Sequence, residues 1–263
     1  MKKQLILGLA LLISGGLSAQ EKTKKDTTRL NFGNVTVMVL DGDGNNDTIT
    51  YPVKKKELDP SFWSGLDIGV NFFSEDGLGS LNNYSEDLKN WEAIPGKSLY
   101  FGINITEFNI TLKKNHVYLT TGLGLSYSSM SFKNNVDLLD TNGYMQAVEV
   151  TDREYTKNKL RITSLHVPLL MSFQLAKETS ISAGIVGQLR IGSKLKQKFI
   201  PESKSEQKAK RKDDFNLTNF GGYAQLRFRY KGIKVFANYG LSTLFTKNQG
   251  PQITPYTFGI SIL

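Results

Sequence analysis

The chain has 263 residues with 33 Lys and Arg against 24 Asp and Glu, a formal net charge of +9, and no cysteine. The lack of cysteine excludes disulfides, thiolate metal sites, a cysteine nucleophile and lipid attachment through an N-terminal cysteine. No segment reaches the roughly 18 uninterrupted apolar residues that a transmembrane helix needs, which excludes a helical membrane protein.

The first residues have the features of a secretory signal peptide, predicted to cover 1–19. Lys2 and Lys3 give a positive start, an apolar run extends from Leu5 to Ile13, and the small residue Ala19 stands at a suitable cleavage position. We therefore expect this segment to be removed on export. An exported protein rarely meets nucleic acid, so the positive net charge does not predict a nucleic-acid partner.

Residues 20–60 are predicted to be an N-terminal periplasmic extension with a short hairpin and a linker. Two β segments, Phe32–Leu40 and Thr48–Val53, flank a turn rich in Gly, Asn and Asp. The turn begins like a calcium-binding EF-hand loop, but its sixth and twelfth positions are Asn46 and Pro52 rather than Gly and Glu. The sequence therefore predicts no metal site, and it contains no motif for another cofactor.

From Phe62 onward, apolar residues alternate with small or polar ones, which is the period expected of β-strands with one apolar face. The predicted strands are Phe62–Ser74, Leu99–Leu112, Val117–Phe132, Lys159–Ala176, Ser180–Gly192 and three more between Leu217 and Leu263. In the second strand the apolar phase slips by one residue after Ile105, which predicts a β-bulge near Thr106 and Glu107.

The connections between these strands alternate strictly between short and long. The short ones are 113–116, 177–179 and 231–232, and the longer ones are 75–98, 133–158, 193–214 and 247–253. In outer-membrane barrels the periplasmic turns are short and the outer loops long. The predicted fold class is therefore all-β: an eight-stranded antiparallel up-and-down transmembrane β-barrel over residues 61–263, in the cell outer membrane, with both termini periplasmic.

The interior of an eight-stranded barrel is just wide enough for side chains to fill. Polar residues assigned to the inner face make a predicted interior network of Asp67, Glu107, His166, Arg190, Arg227 and Arg229. Buried charges must be paired, so we expect the two carboxylates to contact arginines. Aromatic residues near strand ends are expected to lie at the membrane interfaces, namely Trp63, Tyr100, Tyr118, Tyr230 and Tyr256.

Two stretches of the sequence resemble the PorT-like outer-membrane β-barrel family. One is Leu165–Phe173, with its Pro-Leu-Leu segment, and the other is Trp63–Asn71, which resembles the first strand of members of that group. The sequence departs from the family in having His166 where an acid is commoner. The resemblance implies an eight-stranded outer-membrane barrel, with a role in secretion or gliding machinery for some members and no catalytic residues.

Catalysis is not predicted, because Ser164 and His166 share an inward face but nothing marks an oxyanion hole or an acyl groove. We expect a structural or accessory barrel whose partners are outer-membrane lipid, lipopolysaccharide and envelope proteins. Two alternatives remain open: a surface binding or adhesion module that uses charged loops, and a soluble lipocalin-like carrier with apolar faces inside. The segment 193–214 carries eight Lys or Arg, and such a run is usually a solvated loop.

Overall fold

The computed structural model describes residues 27–32, 35–40, 61–75, 84–113, 116–200 and 206–262. The chain divides into two compact units, Met1–Lys56 and Glu57–Leu263. In the first unit, β1 (Thr27–Phe32) pairs antiparallel with β2 (Val35–Leu40) across a two-residue connection, the length of a tight hairpin. β2 lies within the first predicted β segment, Phe32–Leu40, whereas the second predicted segment, Thr48–Val53, lies with the rest of residues 41–60 and the predicted signal peptide outside the described residues.

In the second unit, eight strands close into a barrel. The strands of this unit are β3 (Gly65–Ser74), β4 (Leu99–Lys113), β5 (Val117–Ser131), β6 (Val136–Thr141), β7 (Tyr144–Glu149), β8 (Tyr155–Ala176), β9 (Thr179–Phe199), β10 (Gln207–Lys212), β11 (Phe220–Tyr230), β12 (Ile233–Gly240) and β13 (Thr254–Ile262). The ring runs β3-β4-β5-β8-β9-β11-β12-β13, and β13 pairs back to β3, with every pair antiparallel. The predicted eight-stranded up-and-down antiparallel barrel is confirmed.

The predicted β-bulge lies in β4. Asn104 pairs with Gly124 and Thr106 pairs with Leu123, so Ile105 is an extra residue on β4. An extra residue on one strand shifts its inside-outside phase by one position, which is why the apolar pattern slips in the sequence here.

The barrel wall is apolar outside and mostly polar inside. On β8, Val167 and Leu169 are 50% and 48% exposed, whereas the adjacent His166 is 1% exposed. Every ring strand contributes exposed large apolar side chains, for example Ile68, Ile103, Leu123, Leu169, Ile185, Leu226, Val235 and Phe258 in ring-strand order from β3 to β13. We call this surface the apolar belt.

The expectation that five aromatic residues lie at the membrane interfaces is wrong for three of them. Trp63, Tyr100 and Tyr118 are 1%, 5% and 7% exposed and lie inside the barrel, whereas Tyr230, at 48%, lies on the outer surface. Tyr256 is 3% exposed, but it lies opposite Tyr239 and Phe72 on the same side of β13 as Phe258. Tyr100 follows an outward-facing leucine directly, so the strand geometry turns its ring into the barrel. The period of two decides on which side of a strand a side chain lies, and a position near a strand end does not.

The two ends of the barrel differ. At the short-turn end, β4, β8 and β11 turn directly into β5, β9 and β12. At the long-loop end, the connections contain two 3-10 helices, Glu86–Trp91 and Pro95–Lys97, the β6–β7 hairpin, and β10, which pairs with the extension of β9. The hairpin and β10 lie in segments that were expected to be loops. Among the described residues, no helix is both long and apolar enough to span a membrane.

An apolar cluster lies among the structured loops and strand extensions of the long-loop end. It includes Trp91, Met130, Leu138, Leu160, Leu195 and Phe245, each at most 4% exposed. The rings of Trp91 and Phe245 meet edge to face at 4.9 Å between centroids. This cluster, which we call the apolar cap, gives the long-loop end a core of its own.

Candidate functional site

The segment just before β3 fills the barrel at the short-turn end. Trp63 packs against Leu170, Val186 and Tyr223 inside the barrel. The wall is thinned to make room for the indole, because a Cβ added at Gly124 would lie 2.8 Å from Trp63 Cη2. The sequence analysis did not predict that Trp63 packs inside the barrel. The signal that could have suggested it is the many glycines on the inner faces of the predicted strands, which leave room for a large side chain.

Glu107 holds this segment in place. Its carboxylate accepts hydrogen bonds from the backbone N–H groups of Phe62, Trp63 and Ser64 at 2.7, 3.1 and 2.6 Å. The predicted arginine contact of Glu107 is therefore replaced by a backbone clamp. Three successive N–H groups at the entry to the barrel need acceptors away from water, and one carboxylate supplies both of its oxygens to them.

Arg229 also belongs to this end of the barrel. Its guanidinium donates to the carbonyl oxygen of Ser61 at 3.3 Å and to the side-chain oxygen of Gln174 at 3.1 Å. Arg229 and Glu107 thus contact the same entering segment from different strands rather than each other.

Asp67 and Arg227 form a buried ion pair deeper in the barrel. The side chains of Arg227 and Asp67 are only 4% and 2% exposed. The side-chain amide of Asn104 also donates to Asp67 at 2.9 Å, and Arg227 donates to the carbonyl oxygen of Trp63 at 3.2 Å and to Gln225 at 3.1 Å. Of the six residues assigned to an interior network, these two are the pair that the fold brings together as a carboxylate and an arginine.

His166 lies in a separate neutral cluster. Its Nε2 is 2.7 Å from the hydroxyl of Ser126, its Nδ1 is 3.0 Å from the hydroxyl of Tyr223, and its ring stacks near Tyr100. Ser164, the other candidate for a serine–histidine pair, instead accepts a hydrogen bond from Gln188 at 2.8 Å. A phenol rather than a carboxylate faces the second nitrogen of the imidazole, so the arrangement lacks the acid that orients histidine in hydrolases.

Arg190 lies towards the long-loop end, away from the Asp67 pair. Its guanidinium donates to the hydroxyl of Ser193 at 2.9 Å and to the carbonyl oxygen of Leu217 at 3.2 Å. Arg190 lines a cavity of about 90 Å³ together with Tyr100 and Asn238. That volume holds a few water molecules, whereas pockets for organic ligands typically measure about 300–1,000 Å³.

The most unusual surface of the protein is an array of cations on the strand extensions beyond the apolar belt. Strand pairing places nine of them in three rows across β8, β9 and β10: Lys157–Lys198–Lys208, Lys159–Lys196–Lys210 and Arg161–Lys194–Lys212. Residues directly opposite in an antiparallel pair point to the same side, as do residues two apart along a strand. All nine therefore share one side of a three-stranded sheet, which we call the basic face.

The opposite side of this sheet is packed against the apolar cap. Leu160 and Leu195 lie directly opposite each other there and are 0% and 1% exposed. Arg211, on the same inner side of β10, donates to the carbonyl oxygen of Leu138 and forms an ion pair with Asp137 at 3.3 Å. The backing fixes the orientation of the sheet, so the basic face points away from the protein.

Comparisons with known proteins add little to this description. No protein-family model matches the chain, and no curated protein matches it in sequence. Among solved structures, the chain is similar to that of Ail, the attachment invasion locus protein of Yersinia pestis, in complex with the heparin analogue sucrose octasulfate. The sequence identity is 11%, the match covers 74% of this chain and 93% of that chain, and the TM-score is 0.28. A superposition this poor shows neither a shared family nor a shared binding site.

The described residues contain no cluster of three or more His, Asp or Glu side chains that could hold a metal ion. Sequence analysis noted the cations of segment 193–214 as a solvated loop. The signal that could have revealed the basic face is the alternation of Lys at 194, 196 and 198 and again at 208, 210 and 212.

Proposed function

We propose that the protein is an outer-membrane β-barrel with a filled interior and a structural or accessory, non-catalytic role in the bacterial envelope. The observation that carries this proposal is the apolar belt, to which all eight ring strands contribute. Soluble monomers rarely expose contiguous apolar patches larger than a few hundred Å². A belt that surrounds a closed barrel is what lipid requires, because closure leaves no strand edge unpaired.

The filled interior supports an accessory role rather than a pore or a carrier. Trp63 and its neighbours occupy the short-turn end, the Asp67–Arg227 pair lies next to them, and the cavity lined by Arg190 and Tyr100 is about 90 Å³. A lipocalin-like carrier would instead place its apolar faces inside around a ligand. The environment of His166 and Ser164 supports a role without catalysis.

The proposed orientation puts the short-turn end and both chain termini in the periplasm and the long loops outside, as in bacterial barrels with even strand numbers. The stretches that resemble the PorT-like family support an association with secretion machinery. A second candidate function, binding at the cell surface, is favoured by one specific observation, the basic face.

The membrane location is tested by placing a charge in the apolar belt. Leu169→Arg should lower the free energy of unfolding in lipid vesicles by about 2–4 kcal/mol if the side chain lies near the bilayer midplane. The matched control is Leu139→Arg on β6, because Leu139 is 44% exposed against 48% for Leu169 but lies outside the ring.

Urea titration of both variants gives the comparison, and fractionation with gel migration of boiled and unboiled samples gives the location of the wild-type chain. In water, both exposed leucines would tolerate arginine within roughly 0.5 kcal/mol. Equal unfolding midpoints for the two variants, or a wild-type chain outside the membrane fraction, would refute the proposal.

A further inference from the structure

The basic face concentrates positive charge that the described part of the protein does not neutralise. Glu206 forms an ion pair with Lys198 at 2.8 Å and lies 3.9 Å from Lys208, both in one row. In the other two rows, no described carboxylate comes within ion-pair distance of a cation. Like charges directly opposite each other on neighbouring strands destabilise a sheet, so this arrangement calls for an external anion.

The repulsion is visible at the centre of the basic face. The positive charge of Arg161 is the main cause that lowers the pKa of Lys196, which lies in the middle row on the middle strand. Burial, followed by the charges of Lys157 and Arg161, lowers the pKa of Lys159 in the same row. A bound anion would reduce the repulsion among these cations. Because the fold already holds the cations close together, anion binding does not have to supply the energy that brings them together.

The cations cannot disperse by rearranging the sheet. Its other side is packed in the apolar cap through Leu160 and Leu195, and β8 and β9 are continuous with the barrel wall. Arg161 is further held with its guanidinium over the ring of Tyr127, 5.3 Å from the centroid. The face is therefore a preorganised surface rather than a flexible charged loop, and preorganisation lowers the cost of binding.

The position of the basic face indicates where its anion comes from. On β8, the outward series runs Val167, Leu165, Thr163 and then Arg161, so the cations continue the row of side chains that forms the apolar belt. On β9, an extra residue at Ile191 shifts the phase and keeps Lys194 on the same outer side as Leu189. Four residues of strand separate Leu165 from Arg161, about 13 Å at 3.3 Å per residue.

We propose that the basic face binds the phosphate groups of a phosphorylated glycolipid whose acyl chains lie against the apolar belt on β8 and β9. Val167 and Ile185, 50% and 53% exposed, would contact the acyl chains, and the row that contains Arg161 would contact the nearest phosphate. The inference rests on the proposed membrane location, since only a lipid in the same leaflet is held beside both surfaces at once. Because the acyl chains hold the lipid in the membrane beside the barrel, its phosphate groups have a high local concentration at the basic face, which favours the lipid over a soluble polyanion.

The test removes charge from the central strand of the basic face. The triple variant Lys194→Gln, Lys196→Gln and Lys198→Gln is compared with a control that carries Lys113→Gln, Lys177→Gln and Lys231→Gln. The control changes the net charge equally at exposed lysines of the short-turn end. Binding of the full chain in neutral detergent micelles is measured with bisphosphorylated lipid A, with dephosphorylated lipid A, and with soluble inositol hexakisphosphate.

We expect the wild-type chain and the control to bind bisphosphorylated lipid A, and the basic-face variant to bind it at least tenfold more weakly. Dephosphorylated lipid A should bind weakly to all three proteins, and added salt should weaken the wild-type interaction. Equal affinity of the basic-face variant and the wild type for lipid A would overturn the inference. Binding of inositol hexakisphosphate as tight as that of lipid A would overturn it too, by assigning the face to a soluble polyanion.

Gel migration of boiled and unboiled samples of the same three proteins separates this result from the fate of the proposed function. A basic-face variant that migrates as a folded barrel in the membrane fraction but keeps full lipid A affinity refutes the inference alone. A wild-type chain that is absent from the membrane fraction refutes the proposed function, and with it the lipid source of the phosphate.

Discussion

Replacement of Asp67 by Asn removes one charge of the buried ion pair while nearly preserving the shape of the side chain. Arg227 then keeps its charge with only neutral acceptors, the carbonyl oxygen of Trp63 at 3.2 Å and the side-chain oxygen of Gln225 at 3.1 Å. Both members of the pair are at most 4% exposed, so water cannot replace the lost carboxylate. Breaking a buried pair from one side costs about 3–5 kcal/mol, and we expect Asp67→Asn to lower the free energy of unfolding by that amount.

The measurement is urea-induced unfolding in lipid vesicles, followed by tryptophan fluorescence. The chain has two tryptophans, so a Trp91→Phe background makes the signal report on Trp63 beside the ion pair. The double variant with Asp67→Asn and Arg227→Met removes both charges and should recover most of the loss, because an apolar pair of similar volume often replaces an ion pair at little cost. A loss below roughly 0.5 kcal/mol for Asp67→Asn, or strictly additive effects of the two substitutions, would show that water reaches the pair.

Two further substitutions test the packing of the barrel. Trp63→Ala should lower the free energy of unfolding by about 3–5 kcal/mol through the cavity it leaves, and a loss under roughly 1 kcal/mol in urea titration would show that this end is not packed. Gly184→Ala should lower the free energy of unfolding by about 1–3 kcal/mol, because the added Cβ would lie 2.2 Å from the carbonyl oxygen of Leu169. The control is Gly187→Ala on the same strand, which should be tolerated because its Cβ would meet only the carbonyl oxygen of Val167, at 3.7 Å. Equal midpoints for the two glycine variants would contradict the close approach of β8 and β9.

The barrel itself could be predicted from the sequence because a period of two extends through every ring strand. The slip at Ile105 even located the bulge, since an unpaired residue changes the apolar phase in a way that the residues record directly. The β6–β7 hairpin carried a comparable signal, the pair Asn142-Gly143 between two alternating segments, and both residues adopt positive φ angles of 55° and 81°. The sequence analysis nevertheless treats this stretch as part of the long connection 133–158.

The contacts of the interior could not be predicted, because a period of two assigns a side but not a partner. Glu107 and Arg227 both face inward, yet the first clamps backbone N–H groups and the second meets Asp67. These partners depend on the relative heights of strands that are far apart in sequence. The basic face could not be predicted either, because its rows can be recognised only when the registers of β8, β9 and β10 are known.

The length of β8 and β9 has a mechanical consequence. They contain 22 and 21 residues, whereas a tilted strand crosses a bilayer with about 9–11, so in the proposed outer-membrane location roughly half of each strand would project beyond the membrane. The two parts are joined by the paired ladder of β8 and β9, whose register shifts between them at the extra residue Ile191. A force applied at the tip, near Tyr155 and Phe199, would therefore reach the barrel wall through two paired strands, and the bulge at Ile191 is a place between the tip and the wall where the ladder can bend.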